Sequence, residues 1–358
     1  MRIALDATPL VEPHGGIPRY VCELTAALAA AHPGDELHLL SDQPGLHVED
    51  RLKALPNVII ESTPRRFFGK YWSAGLPWEL RRRKVDLFHG TDFAVPYLPV
   101  VPSVMTVHDL SPWKPAPICP PGSDRVRTRS PRLIPLARRI ITPSEAVRRE
   151  VIEEFPVRPE HVCATPLAPS SALQPVSQEV VAERLQALGV RQPYLVALGA
   201  GGPRKNLSLA IETWSRVREA VPELGLVLAG GARVQVEKPG MRHITPVADA
   251  DLRPLLAGAE ALLYPSLYEG FGLPVVEAMQ IGAAVVLSRD PALTETAAGA
   301  AVHCAADSPD CWTEAVLSVL RDPAHAADLR RKGRERAAQL SWAETARRTR
   351  QVYEDALA

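Results

Sequence analysis

Short apolar runs recur along the whole chain, each followed by a polar or glycine-rich stretch and then by apolar residues at helical spacing. The runs predict strands over Ile3–Leu5, Glu36–Leu40, Asn57–Glu61, Val85–His89, Ser103–Val107, Arg139–Thr142, Tyr194–Leu198, Leu226–Ala229, Ile244–Val247, Ala261–Tyr264 and Ala284–Ser288. Helical spacing covers Pro18–Ala31, stopped by His32-Pro33-Gly34, then a helix capped by Ser144 with Val147, Val151 and Ile152 on one face. Further helices span Ser177–Leu188 and Leu207–Ala220, and others open at Asp249 or Asp251 and at Pro274. The tail, SWAETARRTRQVYEDAL, is amphipathic, with Trp342, Ala346 and Val352 on one stripe. Strands that alternate with helices imply α/β architecture with parallel sheets, whose ligands bind at the carboxyl edges of the strands.

The alternation lapses between Pro166 and Pro175, where proline, serine and alanine replace periodicity, and an α/β unit begins afresh beyond it. A chain of 358 residues accommodates two such domains, expected at 1–170 and 171–340, with 341–358 as a closing helix. Hydrophobic residues at 46% and charged residues at 23% describe an ordinary globular protein, and zero formal net charge argues against nucleic acid as a partner. No apolar run approaches the roughly 20 residues that span a bilayer. MRIALDATPL reads as a first strand rather than a signal peptide, and the five cysteines lack CxxC spacing. Both features suggest reduced thiols and a cytoplasmic location. The 35 prolines are spread through loops, which they stiffen.

Candidate chemistry is densest from Tyr264 to Met279. Glu269 precedes Gly270-Phe271-Gly272 and Leu273, Pro274 sits where a helix can begin, and Glu277 is expected in that helix's first turn. Unpaired N–H groups at a helix N-terminus, flexible glycine backbone and two carboxylates can hold an anion and hydroxyl-rich groups together, as a sugar nucleotide requires. A glutamate there also stabilises a helix through its dipole alone. In GAGGPRKN, Gly199 opens a glycine loop and Arg204-Lys205 suit a diphosphate, although GxxxxGK[ST] spacing is absent; Asn206 is placed to cap the next helix. Gly15-Gly16, between a first strand and a first helix, let backbone approach a phosphate or simply make a turn.

Two strands end near a histidine and then an aspartate: His89, ranked lower, and His108-Asp109. Asp109 could lie near a reacting centre or cap the following turn. Lys114–Pro135 reads as a mobile loop whose Arg125, Arg127, Arg129 and Arg132 could grip an acidic acceptor or merely be solvated. Arg81–Lys84 close a helix, where cations favour the dipole, or else they touch acidic headgroups at the inner membrane face or an anionic acceptor together with Arg65, Arg66 and Lys70. His303-Cys304 lacks partner ligands at useful spacing, so no metal is expected there.

Several of these strings resemble one family. EGFGLPVVEA, with seven residues between Glu269 and Glu277, resembles the EGFGLPxxEA signature of glycosyltransferase family 4, retaining enzymes of the GT-B fold. GGIPRY is similar to the family's GGIGRY, with Pro18 in place of glycine; TVHDL, TPSEAVRREV and PRKN also have family counterparts, whereas Ala283-Ala284 replaces a usual threonine-proline pair. The resemblance covers nearly the whole chain. It implies two Rossmann-like domains facing across a cleft, an N-terminal acceptor side, a C-terminal nucleotide-sugar side and a last helix crossing back to the first domain. It further implies that Glu277 bonds ribose hydroxyls, Glu269 and the Gly270–Gly272 backbone hold the donor sugar, and Lys205 and Arg204, with Gly16, stabilise the departing diphosphate. His108 would orient the sugar, and Val247 would meet the base through its backbone. No metal or other cofactor is implied. GGIPRY, TVHDL and PRKN look most like the bacterial mannosyltransferase branch, which makes GDP-mannose the first expected donor and a saccharide, lipid-linked or small-molecule compound the acceptor. Still open are a natural-product enzyme using a UDP- or dTDP-sugar, a sugar-nucleotide epimerase and a binding protein without catalysis.

Overall fold

The computed structural model describes residues 1–62, 70–199, 202–231 and 238–358. Its chain divides into two compact units, Met1–Trp113 with Pro121–Leu167 and Ser341–Ala358, and Lys114–Pro120 with Ala168–Leu340.

The first unit is built on seven strands: β1 (Arg2–Asp6), β2 (Glu36–Ser41), β3 (Val58–Ser62), β4 (Leu87–Gly90), β5 (Ser103–Thr106), β6 (Arg139–Thr142) and β7 (Val162–Ala164). They pair in parallel in the order β3-β2-β1-β4-β5-β6-β7. Its helices are α1 (Gly16–Ala31), α2 (Asp50–Lys53), α3 (Leu76–Arg82), α4 (Asp124–Leu133) and α5 (Glu145–Glu154), the last capped as expected by Ser144 Oγ, which accepts from Val147 N.

The second unit repeats the plan. Its strands β8 (Tyr194–Leu198), β9 (Gly225–Ala229), β10 (Met241–Ile244), β11 (Ala261–Tyr264), β12 (Val285–Ser288) and β13 (Val302–Cys304) are parallel in the order β10-β9-β8-β11-β12-β13. Helices α6 (Gln178–Leu188), α7 (Leu207–Val217), α8 (Asp249–Ala257), α9 (Leu273–Ile281), α10 (Pro291–Ala297), α11 (Pro309–Arg321) and α12 (Pro323–Ala338) connect and follow the strands. Tyr194, Val196 and Leu198 of β8 enter one apolar core with residues of α6, α8 and α9, while Leu195 and Ala197 enter another with α7 and α11. A strand covered on both faces needs every residue apolar, which is why these strands read as unbroken runs.

In both sheets the strand order reverses beside the first strand of the unit, between β1 and β4 and between β8 and β11. Connections leave in opposite directions there, which opens a crevice at the carboxyl ends of the strands. Each unit therefore presents one place where a ligand site is expected.

The last helix, α13 (Trp342–Leu357), joins the first unit. Ser341 Oγ caps it by accepting from Glu344 N, and Trp342, Ala346, Val352 and Tyr353 are buried on one stripe. Its Arg350 pairs with Asp35, which also meets the N-terminal ammonium of Met1.

Four local expectations are corrected. Lys114–Pro135 is not one loop: Lys114–Pro120 groups with the second unit, and Asp124–Leu133 is helical despite Pro131. Proline there only removes one late hydrogen bond, and the buried Ser130 and Leu133 hold the helix down. Glu277 is the fifth residue of α9, beyond the first turn, because Gly272 takes the cap position and the helix starts at Leu273. Strand β10 ends at Ile244, so Thr245–Val247 follow the strand instead of forming it. Asn206 precedes α7 but does not cap it through its side chain; its backbone is left-handed at φ 50° and its amide donates to Ala306 O.

Candidate active site

The crevice of the second unit collects most of the predicted residues. Tyr264 closes β11, and the loop after it carries Glu269; after β8, Gly199 leads toward a single tight turn at Pro203–Lys205. That turn is fastened to the β11 loop, since Leu267 N and Ser266 Oγ both donate to Arg204 O, at 2.8 and 3.3 Å. Ser288 Oγ at the end of β12 donates to Ser266 O. The fastening brings Lys205 Nζ to 2.5 Å from Glu269 Oε1 and 2.9 Å from the Tyr264 hydroxyl, which in turn donates to Glu269 Oε1 at 3.0 Å. Lys114 Nζ lies over the Tyr268 ring, 5.0 Å from its centroid.

Glu269 is 7% exposed, so an uncompensated charge there would be costly. Burial raises its pKa, but the cations of Lys205 and Arg204 outweigh burial and hold the carboxyl below the ordinary range. Burial likewise opposes the Lys205 ammonium, and Tyr264 and Glu269 reverse the sign and keep it protonated. The site thus holds a fixed cation and a fixed anion. Beneath them, Asp290 accepts from Glu269 N at 3.3 Å and from Leu293 N at 3.0 Å, which caps α10. Its pKa is pushed up to about 6, chiefly by burial.

Gly270, Phe271 and Leu273 are buried beside this cluster at the start of α9, and Glu277 is 2% exposed one turn on. Gly272 has φ +91°, a backbone conformation that favours glycine, and a Cβ there would lie 2.4 Å from Leu293 Cδ2, which would have to shift. At the start of α9, Pro274 has no N–H and Val275 N donates to Gly272 O at 2.9 Å, so it is the Leu273 N–H that the helix itself leaves for an anion. Gly199 packs against the Lys205 side chain, where an added Cβ would meet Lys205 Cβ at 3.2 Å. Val247 is half-buried, packs against the core shared by α6, α8 and α9, and lies close to Gly230. Ala200 and Gly201 of the glycine loop lie outside the described residues.

In the first unit, Gly15 caps α1 at φ +134° and Gly16 is its first residue, both exposed near the end of β1. His108 follows β5 and is half-buried. Its Nε2 lies 2.8 Å from Thr91 O, an acceptor only, so that nitrogen carries the proton and Nδ1 is left to accept, or to donate when protonated. The Tyr20 ring meets the imidazole edge-on at 4.8 Å. His89 is not at the site surface. It is wholly buried between the Tyr353 hydroxyl at Nδ1 and Thr106 Oγ1 at Nε2, each at 2.7 Å, and burial followed by the His108 charge lowers its pKa to about 3. Thr106 Oγ1 also meets the Tyr20 hydroxyl at 2.9 Å, which links α13 to the ring that supports His108.

Asp109 Oδ1 accepts from Ser111 N at 2.8 Å, the capping alternative. Asp92, the aspartate that follows His89 in the sequence pattern, lies at this edge, as does Asp6, which the sequence had not singled out. Burial raises both, Asp6 to about 7, with neighbouring aspartates adding to the shift, while His108 opposes the rise at Asp92. Their signal was position alone, at or just past the ends of β1 and β4.

Arg125 and Arg127 are exposed on α4, whereas Arg129 donates to the Tyr97 hydroxyl. Of the other basic group, Arg82 and Arg83 are paired with the buried Glu79, and Arg65 and Arg66 lie outside the described residues. Among the described residues no helix is long and apolar enough to cross a membrane.

Comparison with known proteins covers both units. Residues 14–167 match Glycosyltransferase Family 4 and residues 183–336 match Glycosyl transferases group 1. The chain is 30% identical to the MMP alpha-(1->4)-mannosyltransferase of Mycolicibacterium hassiacum, over 100% of this chain and 99% of that one. It is 29% identical to O-antigen chain mannosyltransferase B of Escherichia coli, over 99% of each. Among solved structures, sucrose-phosphate synthase from Thermosynechococcus elongatus superposes with a TM-score of 0.74 at 20% identity, covering 99% of this chain and 98% of that one. Anabaena HepE in complex with UDP-glucose gives 0.73 at 17% identity over 99% and 98%.

Proposed function

The chain belongs to glycosyltransferase family 4, with the GT-B fold and glycosyltransferase activity, and from that premise we propose a donor, a stereochemical course and roles for its residues. The donor is a nucleoside-diphosphate sugar, GDP-mannose in the first instance, and the acceptor is a saccharide or a lipid-linked saccharide. Transfer proceeds with retention at the anomeric carbon and without a metal ion. The observation that carries this reading is the Lys205–Glu269–Tyr264 cluster at the reversal point of the second sheet, beside the start of α9.

The cluster suits the reaction because charge moves from the sugar to the diphosphate as the bond between them breaks. Lys205, with Arg204 beside it, would meet the negative charge that grows on the departing phosphate, and a preorganised cation is usually the largest single contribution. The Leu273 N–H at the start of α9 would add to it. Glu269, kept ionised by Lys205, would accept hydroxyl donors of the sugar, and Glu277 those of the ribose. The acceptor oxygen would attack the face the phosphate leaves, passing its proton to the leaving phosphate oxygen, so no protein base is required. Gly15 and Gly16 would face the diphosphate, and His108 would orient the sugar through Nδ1, its free acceptor. Val247 would face the base. Arg125 and Arg127 and the Asp109 edge would lie toward the acceptor. Mannose as the transferred sugar draws support from the two full-length relatives named as mannosyltransferases.

A thermal-shift panel of GDP, UDP, ADP and dTDP and their sugars, with and without EDTA, tests the donor assignment. Ligand at 100 times its dissociation constant adds about 2.7 kcal/mol, a readily visible shift. A response to GDP and GDP-mannose that EDTA leaves intact agrees with the proposal; silence toward every nucleotide contradicts it.

A further inference from the structure

Cys304 closes β13 and Cys311 lies in the first turn of α11, and both are free thiols. The segment between them doubles back, because Ser308 caps α11 by accepting from Cys311 N and Trp312 Nε1 donates to Ala305 O at 2.9 Å. The two sulfurs are thereby held 2.7 Å apart. Cys304 is buried and Cys311 half-buried, so an oxidant reaches Cys311 first and Cys304 second. Burial, with Cys311 beside it, pushes the Cys304 thiol up to about 12, consistent with a protonated thiol at rest.

The loop between these cysteines also supports the catalytic cluster. Ala306 O accepts from the Asn206 amide at 3.0 Å, and Asn206, held at φ 50°, directly follows Lys205. On the other side, Cys304 O accepts from Arg289 N at 2.9 Å, and the next residue, Asp290, holds Glu269 N. One hydrogen bond thus joins the loop to the neighbour of Lys205, and two, through Arg289 and Asp290, join Cys304 to Glu269.

We propose that Cys304 and Cys311 are an oxidisable pair, closed to an intrachain disulfide by a low-molecular-weight disulfide such as oxidised glutathione, and that closure weakens donor binding. Cys311 sulfur attacks one glutathione sulfur; that S–S bond breaks and the first glutathione leaves as its thiolate. Cys304 sulfur then attacks Cys311 of the mixed disulfide, and the second glutathione leaves. Two protein thiols are oxidised, one glutathione disulfide is reduced to two thiols, and the two thiol protons pass to them. Closure draws in the 305–308 loop and shifts the Ala306 carbonyl that anchors Asn206. The effect on the donor rests on the function proposed above, whereas the disulfide stands on the sulfur geometry alone.

The test treats the full chain with oxidised glutathione or with dithiothreitol, blocks remaining thiols by alkylation and maps the peptides. The expected result is one cross-link between Cys304 and Cys311. With it should come a several-fold weaker response to GDP and GDP-mannose, restored by dithiothreitol. Cys311→Ser should keep the reduced-state response and lose sensitivity to oxidation; Cys311→Ala serves if the serine variant does not fold. Alkylated Cys304 and Cys311 after the other cysteines have reacted would overturn the proposal. A mapped cross-link with unchanged nucleotide response would overturn the coupling to the donor. A reduced protein that answers no nucleotide would instead refute the donor assignment, and the peptide map would still decide the disulfide.

Discussion

Lys205 Nζ and Glu269 Oε1 stand 2.5 Å apart although 64 residues separate them in the chain, and each keeps the other charged. Both side chains are mostly buried, at 15% and 8% exposure, so removing one leaves the other as an uncompensated charge. Lys205→Met should therefore cost about 3–5 kcal/mol of stability, the usual range for breaking a buried pair. The double variant Lys205→Met/Glu269→Gln should recover much of that loss while still failing to bind nucleotide. Urea unfolding of the three proteins checks this, and a single variant as stable as the parent would show that the pair is not coupled.

A second relationship ties the last helix to the first unit. Tyr353→Phe removes the hydroxyl at His89 Nδ1 and leaves that buried nitrogen without its partner, at a cost of about 1–3 kcal/mol. Because Thr106 Oγ1 meets both His89 and Tyr20, the change should also loosen the ring packed against His108. We expect a lower melting temperature and a reduced turnover with nucleotide binding unaffected. Turnover equal to the parent's at matched folded fraction would restrict Tyr353 to stability.

Asp290 gives a pH dependence of definite sign. Its folded pKa, pushed up to about 6 by burial, lies above its ordinary value of 3.8, so the native state binds the proton more tightly than the unfolded chain. Its contribution to stability is full below pH 3.8 and is lost as pH rises through 6, by roughly 3 kcal/mol in all. Asp290→Asn keeps an oxygen for Leu293 N and has no charge to bury. Unfolding free energies at pH 4 and pH 7 should show the variant gaining on the parent by about that amount at pH 7. Parallel pH curves would contradict the assignment.

What the sequence disclosed depended on how local the cause was. The start of α9 was legible because Gly272 and Pro274 act within one turn, and the strands of both sheets were legible because double burial leaves unbroken apolar runs. The parallel order and its reversal beside β1 and β8 agree with the α/β reading. Helix α4 was hidden because Pro131 and four arginines imitate a loop, while the residues that hold it, Ser130 and Leu133, are two among many. Glu277 fell one residue further along the helix than expected because Gly272 takes the cap and the helix starts at Leu273. No periodicity could pair His89 with Tyr353, 264 residues away, so the sequence could rank His89 below His108 but not identify its buried partner. Asp290 had a local signal, an aspartate before proline at a helix start, but its second bond to Glu269 N is set by the fold.

The most direct measurement of the central claim is the anomeric configuration of the sugar as it is transferred. GDP-mannose would be incubated with the protein and a mixture of mannose-containing oligosaccharides, with EDTA present, and the new anomeric proton followed by NMR. A new bond of the same α configuration as the donor, formed with release of GDP and lost in a Lys205→Met/Glu269→Gln protein, is the predicted result. A β-configured product, or no transfer from any nucleotide sugar of the panel, would contradict the account.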